Sequence, residues 1–292
     1  MVDTVPDFTP PLAIADAEGL ECASDGRIVL EGLPNTRDLG GIPASDGRVV
    51  ASARLIRSGA LDRATERDLR TLLDEYRVRT VIDLRTEEER REHPDPEGAM
   101  EGARFVNDPV LDTAALGVTR EGGLLGALKA LRALKKNPAG VMEGVYERLI
   151  LDERSQRGYA RFFDDVLAAG ANEGAVLWHC TVGKDRAGLA AALLLHALGV
   201  PRDVVMADYL ATNRHVASHA QDVADALAAH GLAGKFDAGI RVLNSAEPCF
   251  LEAAFSAAER AFGSFDDYLR DALCVTDEKR AALRDCYLVC PA

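Results

Sequence analysis

Basic residues are in short supply: 34 Lys and Arg stand against 47 Asp and Glu, a formal charge of −13 over 292 residues. Nucleic-acid binders carry a basic face and membrane-surface proteins a polybasic one, so neither nucleic acid nor a membrane is an expected partner. The same field repels anions, so an anionic substrate needs a locally positive pocket. Cys-x-x-Cys pairs are absent, which removes zinc knuckles and thioredoxin-like redox motifs. Cys286 and Cys290, four apart on an expected helix, have no His or carboxylate spaced to complete a metal site. The cysteines therefore read as reduced, core-packed thiols, and no metal is expected. No apolar run reaches the ~18 residues of a membrane span, and Met1 to Gly19 lacks the basic start and apolar stretch of a secretory signal. A soluble cytoplasmic protein is the expectation, with export by a route needing no signal peptide left open. Aromatics are sparse at 5%, yet 48% of residues are hydrophobic, enough for a packed core and too many for a disordered or collagenous chain.

No compositional break suggests a linker. The Pro-containing stretches at Asn107 to Gly123 and Ser245 to Pro248 are short and flanked by apolar periodic segments, so one domain over residues 1–292 is expected. Short β-rich runs (Arg27 to Leu30, Leu55 to Arg57, Arg79 to Leu84, Arg104 to Phe105, Ala175 to His179) alternate with helical patterns (Thr65 to Glu75, Ala139 to Leu151, Ser155 to Ala169). That alternation predicts an α/β fold with a central, mainly parallel sheet flanked by helices. Ala187 to Leu198 is apolar nearly all round and ends at Gly199 with Pro201 behind it, the pattern of a buried helix with a glycine C-cap. Leu124 to Lys136 and Arg202 to His230 read as further helices. They place candidate lid insertions near 111–136 and 201–247; a solvated basic face is the preferred reading of the first, ahead of a contact with an anionic ligand or membrane, and the second reads equally as a lid or an extra packed helix pair.

Chemistry concentrates at the end of the last strand of that alternation. Cys180 closes it, Thr181, Val182, Gly183, Lys184 and Asp185 form a short loop, and Arg186 leads into the buried helix. A strand, a glycine-containing loop and a helix N-terminus make an anion site, since loop amides and the helix dipole converge on one point and glycine lets a ligand approach the backbone. A cysteine there, beside Lys and Arg, is placed to act as a thiolate nucleophile. Arg186 adds a planar fork suited to two phosphoryl oxygens. A nucleotide P-loop is excluded twice: Trp178 stands where its first Gly belongs, and Asp185 where its hydroxyl belongs.

The string His179-Cys180-Thr181-Val182-Gly183-Lys184-Asp185-Arg186-Ala187-Gly188 resembles the Cys-x5-Arg signature of cysteine-dependent phosphatases. Its centre is similar to the bacterial atypical tyrosine and lipid phosphatase branch typified by the mycobacterial tyrosine phosphatase B. Asn35-Thr36-Arg37-Asp38-Leu39-Gly40-Gly41, Arg57-Ser58-Gly59, Val81-Ile82-Asp83-Leu84-Arg85, Asp208-Tyr209-Leu210 and the Phe262 to Leu269 tail extend the resemblance from about Ile28 to Leu288. It implies the cysteine phosphatase fold, no cofactor, and hydrolysis through a phosphocysteine. The implied substrates are phosphotyrosine proteins, with dual specificity, or phosphoinositides. It further implies Cys180 as nucleophile, Arg186 as phosphate clamp, the Thr181 to Arg186 amides as cradle, His179 as support for the cysteine, and Lys184 as extra positive charge beside substrate or as an exposed lysine. Arg37 and Asp38 would support the loop or form an ion pair within their own turn.

No Trp-Pro-Asp string supplies a general acid, so Asp185 inside the loop is the first candidate and Asp83, at the carboxyl end of its strand, the second. The usual Ser or Thr after the arginine is replaced by Ala187, which weakens the expected hydrolysis of the phosphoenzyme. Two competing classes follow: a non-catalytic phospho-ligand module, suggested only by Ala187, and a rhodanese-like sulfurtransferase, which a Gly-Lys-Asp loop suits less well than phosphate.

Overall fold

The computed structural model describes residues 26–111, 136–170, 174–215 and 242–291. Five strands form the main sheet: β1 Arg37–Asp38, β3 Leu55–Ser58, β4 Val78–Asp83, β5 Arg104–Asn107 and β6 Ala175–His179, in the order β1-β3-β6-β4-β5. Only β1 runs antiparallel, at the edge, while β3, β6, β4 and β5 are parallel. A separate antiparallel pair joins β2 Val49–Val50 to β7 Leu288–Val289, so β6 is the last strand of the main sheet but not of the chain.

Side chains alternate between two cores because successive residues of a strand point to opposite faces. Val176 and Trp178 enter the larger core, Ala175 and Leu177 the smaller. The smaller core is closed by α1 Glu66–Arg70 and the π-turn Thr71–Glu75 that continues it. The Thr65 side chain and Asp68 reciprocally cap that helix. Helices α3 Pro138–Leu151, α4 Glu153–Gly170, α5 Arg186–Ala197, α6 Arg202–Ala211 and α7 Pro248–Phe262 cover the other face, with α8 Phe265–Asp271 and α9 Asp277–Tyr287 behind them. A short helix, α2 Glu87–Glu92, follows β4 and opens on a Thr86/Glu89 capping box.

Several expectations need correcting. Arg27 to Leu30 is no strand: Arg27 makes one isolated bridge to Arg37, and then Asp68 captures the amides of Glu31 and Gly32 and bends the chain off the sheet edge. Cys286 and Cys290 do not share a helix, because α9 ends at Tyr287 and the chain extends into β7. Nor are the cysteines uniformly buried, since Cys274 and Cys290 are exposed. The Leu124 to Lys136 helix lies outside the described residues apart from Lys136. Of Arg202 to His230 only residues 202–215 are described, comprising α6, the turn Thr212–Arg214 and His215. Most of both lid stretches therefore lies outside the described residues as well. The C-cap is as expected: Gly199 sits at φ +85°, and the Val200 amide closes back on the Leu195 carbonyl. No described helix is long and apolar enough to cross a membrane.

Candidate active site

Cys180 follows β6 directly, at the carboxyl end of the central strand, and is 3% exposed. Three consecutive carbonyls of the loop behind it are tied back: Thr181 O accepts from the Ala60 amide (3.1 Å), Val182 O from Asn35 Nδ2 (3.0 Å) and Gly183 O from Arg57 Nη2 (2.9 Å). In a planar trans peptide the N–H points opposite its C=O, so the amides of Val182, Gly183 and Lys184 face away from those anchors, into the turn that Cys180 opens and Arg186 closes. Gly183 is required on two counts: its φ is +77°, and a Cβ there would lie 2.6 Å from the Ser58 carbonyl. The glycine thus lets the loop lie against the end of β3, a reason additional to ligand approach.

Behind the loop is a buried ion cluster. Arg57 Nη1 is 2.7 Å from Asp208 Oδ2 and Arg37 Nη2 3.4 Å from Asp208 Oδ1, both arginine side chains being fully buried. Burial works to raise the Asp208 carboxyl, but the charges of Arg57 and Arg37 outweigh it and hold it below the usual carboxylate range. Arg37 also donates to Asn35 Oδ1, which orients the amide that holds Val182 O. Arg37 thus supports the loop through Asn35 and Asp208. Asp38 does something else: its oxygens accept from the amides of Gly40 (3.0 Å) and Ala53 (2.7 Å), fixing its own turn, and burial pushes its carboxyl up to about 6.

In front, Arg186 meets a residue that sequence reasoning did not single out. Glu89, on α2, accepts from Arg186 Nη1 at 2.6 Å and Nη2 at 2.7 Å, and from Thr181 Oγ1 at 2.7 Å. Burial acts to raise the Glu89 carboxyl, but these bonds and the Arg186 charge hold it at about 2. Arg186 is correspondingly raised beyond its ordinary value, burial notwithstanding, by Glu89 and by the Cys180 and Asp185 charges. Thr86 and Glu89, three apart after a strand, carry a capping-box signal that marks a helix opening at the carboxyl edge of the sheet, where ligands bind.

Lys184 is neither exposed nor turned outward. It is 2% exposed, and its ammonium donates to the Leu243 carbonyl (2.5 Å) and the Ser245 carbonyl (3.0 Å), with Asp185 Oδ1 at 3.3 Å. Asp185 is partly exposed, and its Oδ1 accepts from the Tyr146 hydroxyl at 2.9 Å. Asp83, in contrast, is 1% exposed and engaged by Arg85: Nε reaches Oδ1 at 3.0 Å and Nη2 reaches Oδ2 at 2.8 Å. His179 is wholly buried, its Nδ1 3.4 Å from the Cys180 carbonyl and its Nε2 3.2 Å from Asp95 Oδ2, so it touches the backbone of the cysteine. Asp83, Asp95 and His179 bring ligand-type atoms within 4.8 Å of one another, but the Arg85 guanidinium, 2.8 Å from Asp83 and 2.9 Å from Asp95, already supplies the positive charge there. Ala187 is fully buried, and its carbonyl accepts from Trp178 Nε1.

The sequence matches the model of the tyrosine phosphatase family over residues 28–289. It is 34% identical over 248 residues to a Cupriavidus necator protein named as a candidate tyrosine-protein phosphatase, covering 84% of each chain. A tyrosine-protein phosphatase of Nostoc commune is 27% identical over 234 residues, 78% of this chain and 72% of that one. The triple specificity protein phosphatase PtpB of Mycobacterium tuberculosis is 53% identical over a stretch of 51 residues, 18% of this chain and 17% of that one.

Proposed function

Since the chain belongs to the tyrosine phosphatase family, we propose that it hydrolyses phosphotyrosine in proteins by two-step transfer through Cys180. The observation that carries this reading is the cradle itself, in which Cys180 opens a loop whose carbonyls are held from behind, while Arg186 stands across it, oriented by Glu89. In the first step the Cys180 sulfur attacks phosphorus, the bond to the leaving oxygen breaks, and Asp185 gives that oxygen a proton. The loop amides and Arg186 stabilise the charge on the three equatorial oxygens. In the second step water attacks the phosphocysteine, Asp185 takes the water's proton, and the thiolate departs. Asp185 is preferred over Asp83 because it is partly exposed at the loop, whereas Asp83 is committed to Arg85.

Lys184 bears on substrate class. Its ammonium hydrogens are directed at the Leu243 and Ser245 carbonyls and its charge lies beside Asp185, so it is not placed to donate to a second phosphate. This favours a singly phosphorylated aryl ester over a multiply phosphorylated inositol lipid. The test is a turnover panel of phosphotyrosine, phosphoserine and phosphoinositide substrates on the wild type and on Cys180→Ser, with and without EDTA. We expect highest kcat/KM on phosphotyrosine, no effect of EDTA, and loss of turnover in Cys180→Ser by ~10⁴-fold or more with retained binding of inorganic phosphate. Activity surviving in Cys180→Ser would reject the mechanism, and preference for the lipid would reject the substrate order.

A further inference from the structure

Asp185 stands at the N-cap position of α5 with helical backbone angles (φ −82°, ψ −75°), outside the extended conformation from which a side chain caps, and it makes no side-chain cap hydrogen bond. Its Oδ1 turns instead to α3 and takes the hydrogen of the Tyr146 hydroxyl at 2.9 Å, with Lys184 Nζ 3.3 Å away. Among the described residues no hydrogen bond reaches Oδ2. Tyr146 is fully buried, and its oxygen is 2.7 Å from the hydroxyl of Tyr209 on α6. A phenol has one hydrogen, and that of Tyr146 is committed to a carboxylate, so Tyr146 must accept from Tyr209. Burial, and after it the Asp185 charge, push Tyr146 well above the usual tyrosine range, so it keeps its hydrogen across the pH range of assay. The result is a directed chain, Tyr209 to Tyr146 to Asp185, built from three separate helices and ending on one chosen oxygen.

We propose that Tyr146 is a positioning residue for the leaving-group proton: by occupying Oδ1 it orients the carboxylate and leaves Oδ2 as the oxygen that carries the proton. The inference rests on the reading of Asp185 as general acid. In the first step the Oδ2–H bond breaks and the proton joins the leaving oxygen. The electron pair stays on the carboxylate, where the Tyr146 donor and the nearby Lys184 ammonium stabilise it. In the second step the proton of the attacking water returns to Oδ2.

The experiment compares the wild type with Tyr146→Phe, Tyr209→Phe and Asp185→Asn on phenyl phosphate, a poor leaving group, and p-nitrophenyl phosphate, a good one. Tyr146→Phe preserves the ring, which packs edge-on to Tyr209 and against Phe250. It should lower kcat on the poor leaving group about tenfold, the size of one hydrogen bond to an ionised group, and change it less than about threefold on the good one. Tyr209→Phe should show the same dependence more weakly. In the Asp185→Asn background, Tyr146→Phe should cost nothing further on either substrate. Equal losses on both substrates in Tyr146→Phe, or in Tyr209→Phe should the first variant fold poorly, would overturn the role of Tyr146 while Asp185→Asn still shows leaving-group dependence. An Asp185→Asn variant without that dependence would instead overturn the assignment of the acid beneath it.

Discussion

Two arginine–carboxylate pairs bracket the phosphate loop, one behind it and one in front. Behind, Arg57 and Arg37 share Asp208, both arginine side chains are fully buried, and Arg57 also holds the Gly183 carbonyl. In front, Arg186 grips Glu89 with both terminal nitrogens, at 12% and 24% side-chain exposure. Arg186 Nη2 also donates to Thr181 Oγ1 at 3.2 Å, and no protein acceptor among the described residues meets Nε, so that single donor is left for an incoming anion. The rear arginines are sealed from water, Arg57 Nε included, and set a shape; the front pair fixes a direction and keeps the Arg186 Nε donor in a partly exposed place. The same ion-pair chemistry thus serves the scaffold or, in the proposed reaction, the substrate, according to how completely it is withdrawn from water.

The comparison breaks most sharply under substitution of the two carboxylates. Asp208→Asn strands two buried guanidinium groups, and removing one partner of a buried pair costs about 3 to 5 kcal/mol. Urea unfolding should register that loss. Glu89→Gln retains one acceptor near the surface, so its unfolding midpoint should move far less, while kcat/KM falls about tenfold as Arg186 loses its orientation. Equal destabilisation by the two variants would erase the distinction between the pairs.

A second test sharpens the role of the rear cations. Asp208 has two arginines and a lowered carboxyl, whereas buried Asp38 is met by backbone amides and is raised from 3.8 to about 6. A raised carboxyl contributes stability that is full below about pH 4 and is lost as pH climbs through about 6. At 1.36 kcal/mol per pH unit, Asp38 should cost the fold roughly 3 kcal/mol by pH 7. The stability difference between wild type and Asp38→Asn, measured from pH 3.5 to 7.5, should change by that amount across this window. A flat difference would mean that the Gly40 and Ala53 amides compensate fully for the missing cation.

The smallest effect concerns the floor of the site. In the proposed second step Ala187 offers no hydroxyl to the departing Cys180 thiolate, and a hydrogen bond to a charged group contributes ~1.5 to 3 kcal/mol. Phosphocysteine hydrolysis should then be about one to two powers of ten slower than with a donor. Stopped-flow assays should record a burst of leaving group near one equivalent followed by slow turnover, and Ala187→Ser should turn over faster with a smaller burst. No burst in the wild type, with Ala187→Ser no faster, would show that another donor serves the thiolate.

What the sequence determined by itself is local. Cys180 and Arg186 lie six residues apart between an apolar strand and an apolar helix, so the proposed nucleophile, the proposed clamp and the turn between them are readable as one string. The α/β alternation, the Gly199 cap and helix α3 are likewise written in short-range periodicity. Tertiary structure decided which charges meet. Glu89 reaches Arg186 across 97 positions and Asp208 reaches Arg57 across 151. Arg57 sits in a strand whose letters say nothing of full burial. Lys184 and Asp185 are adjacent in the loop, yet one is drawn inward to the Leu243 and Ser245 carbonyls and the other to Tyr146. Direction of this kind is set by whichever distant group completes the hydrogen bonds of a buried polar atom, since leaving that atom unpaired costs more than any local preference contributes.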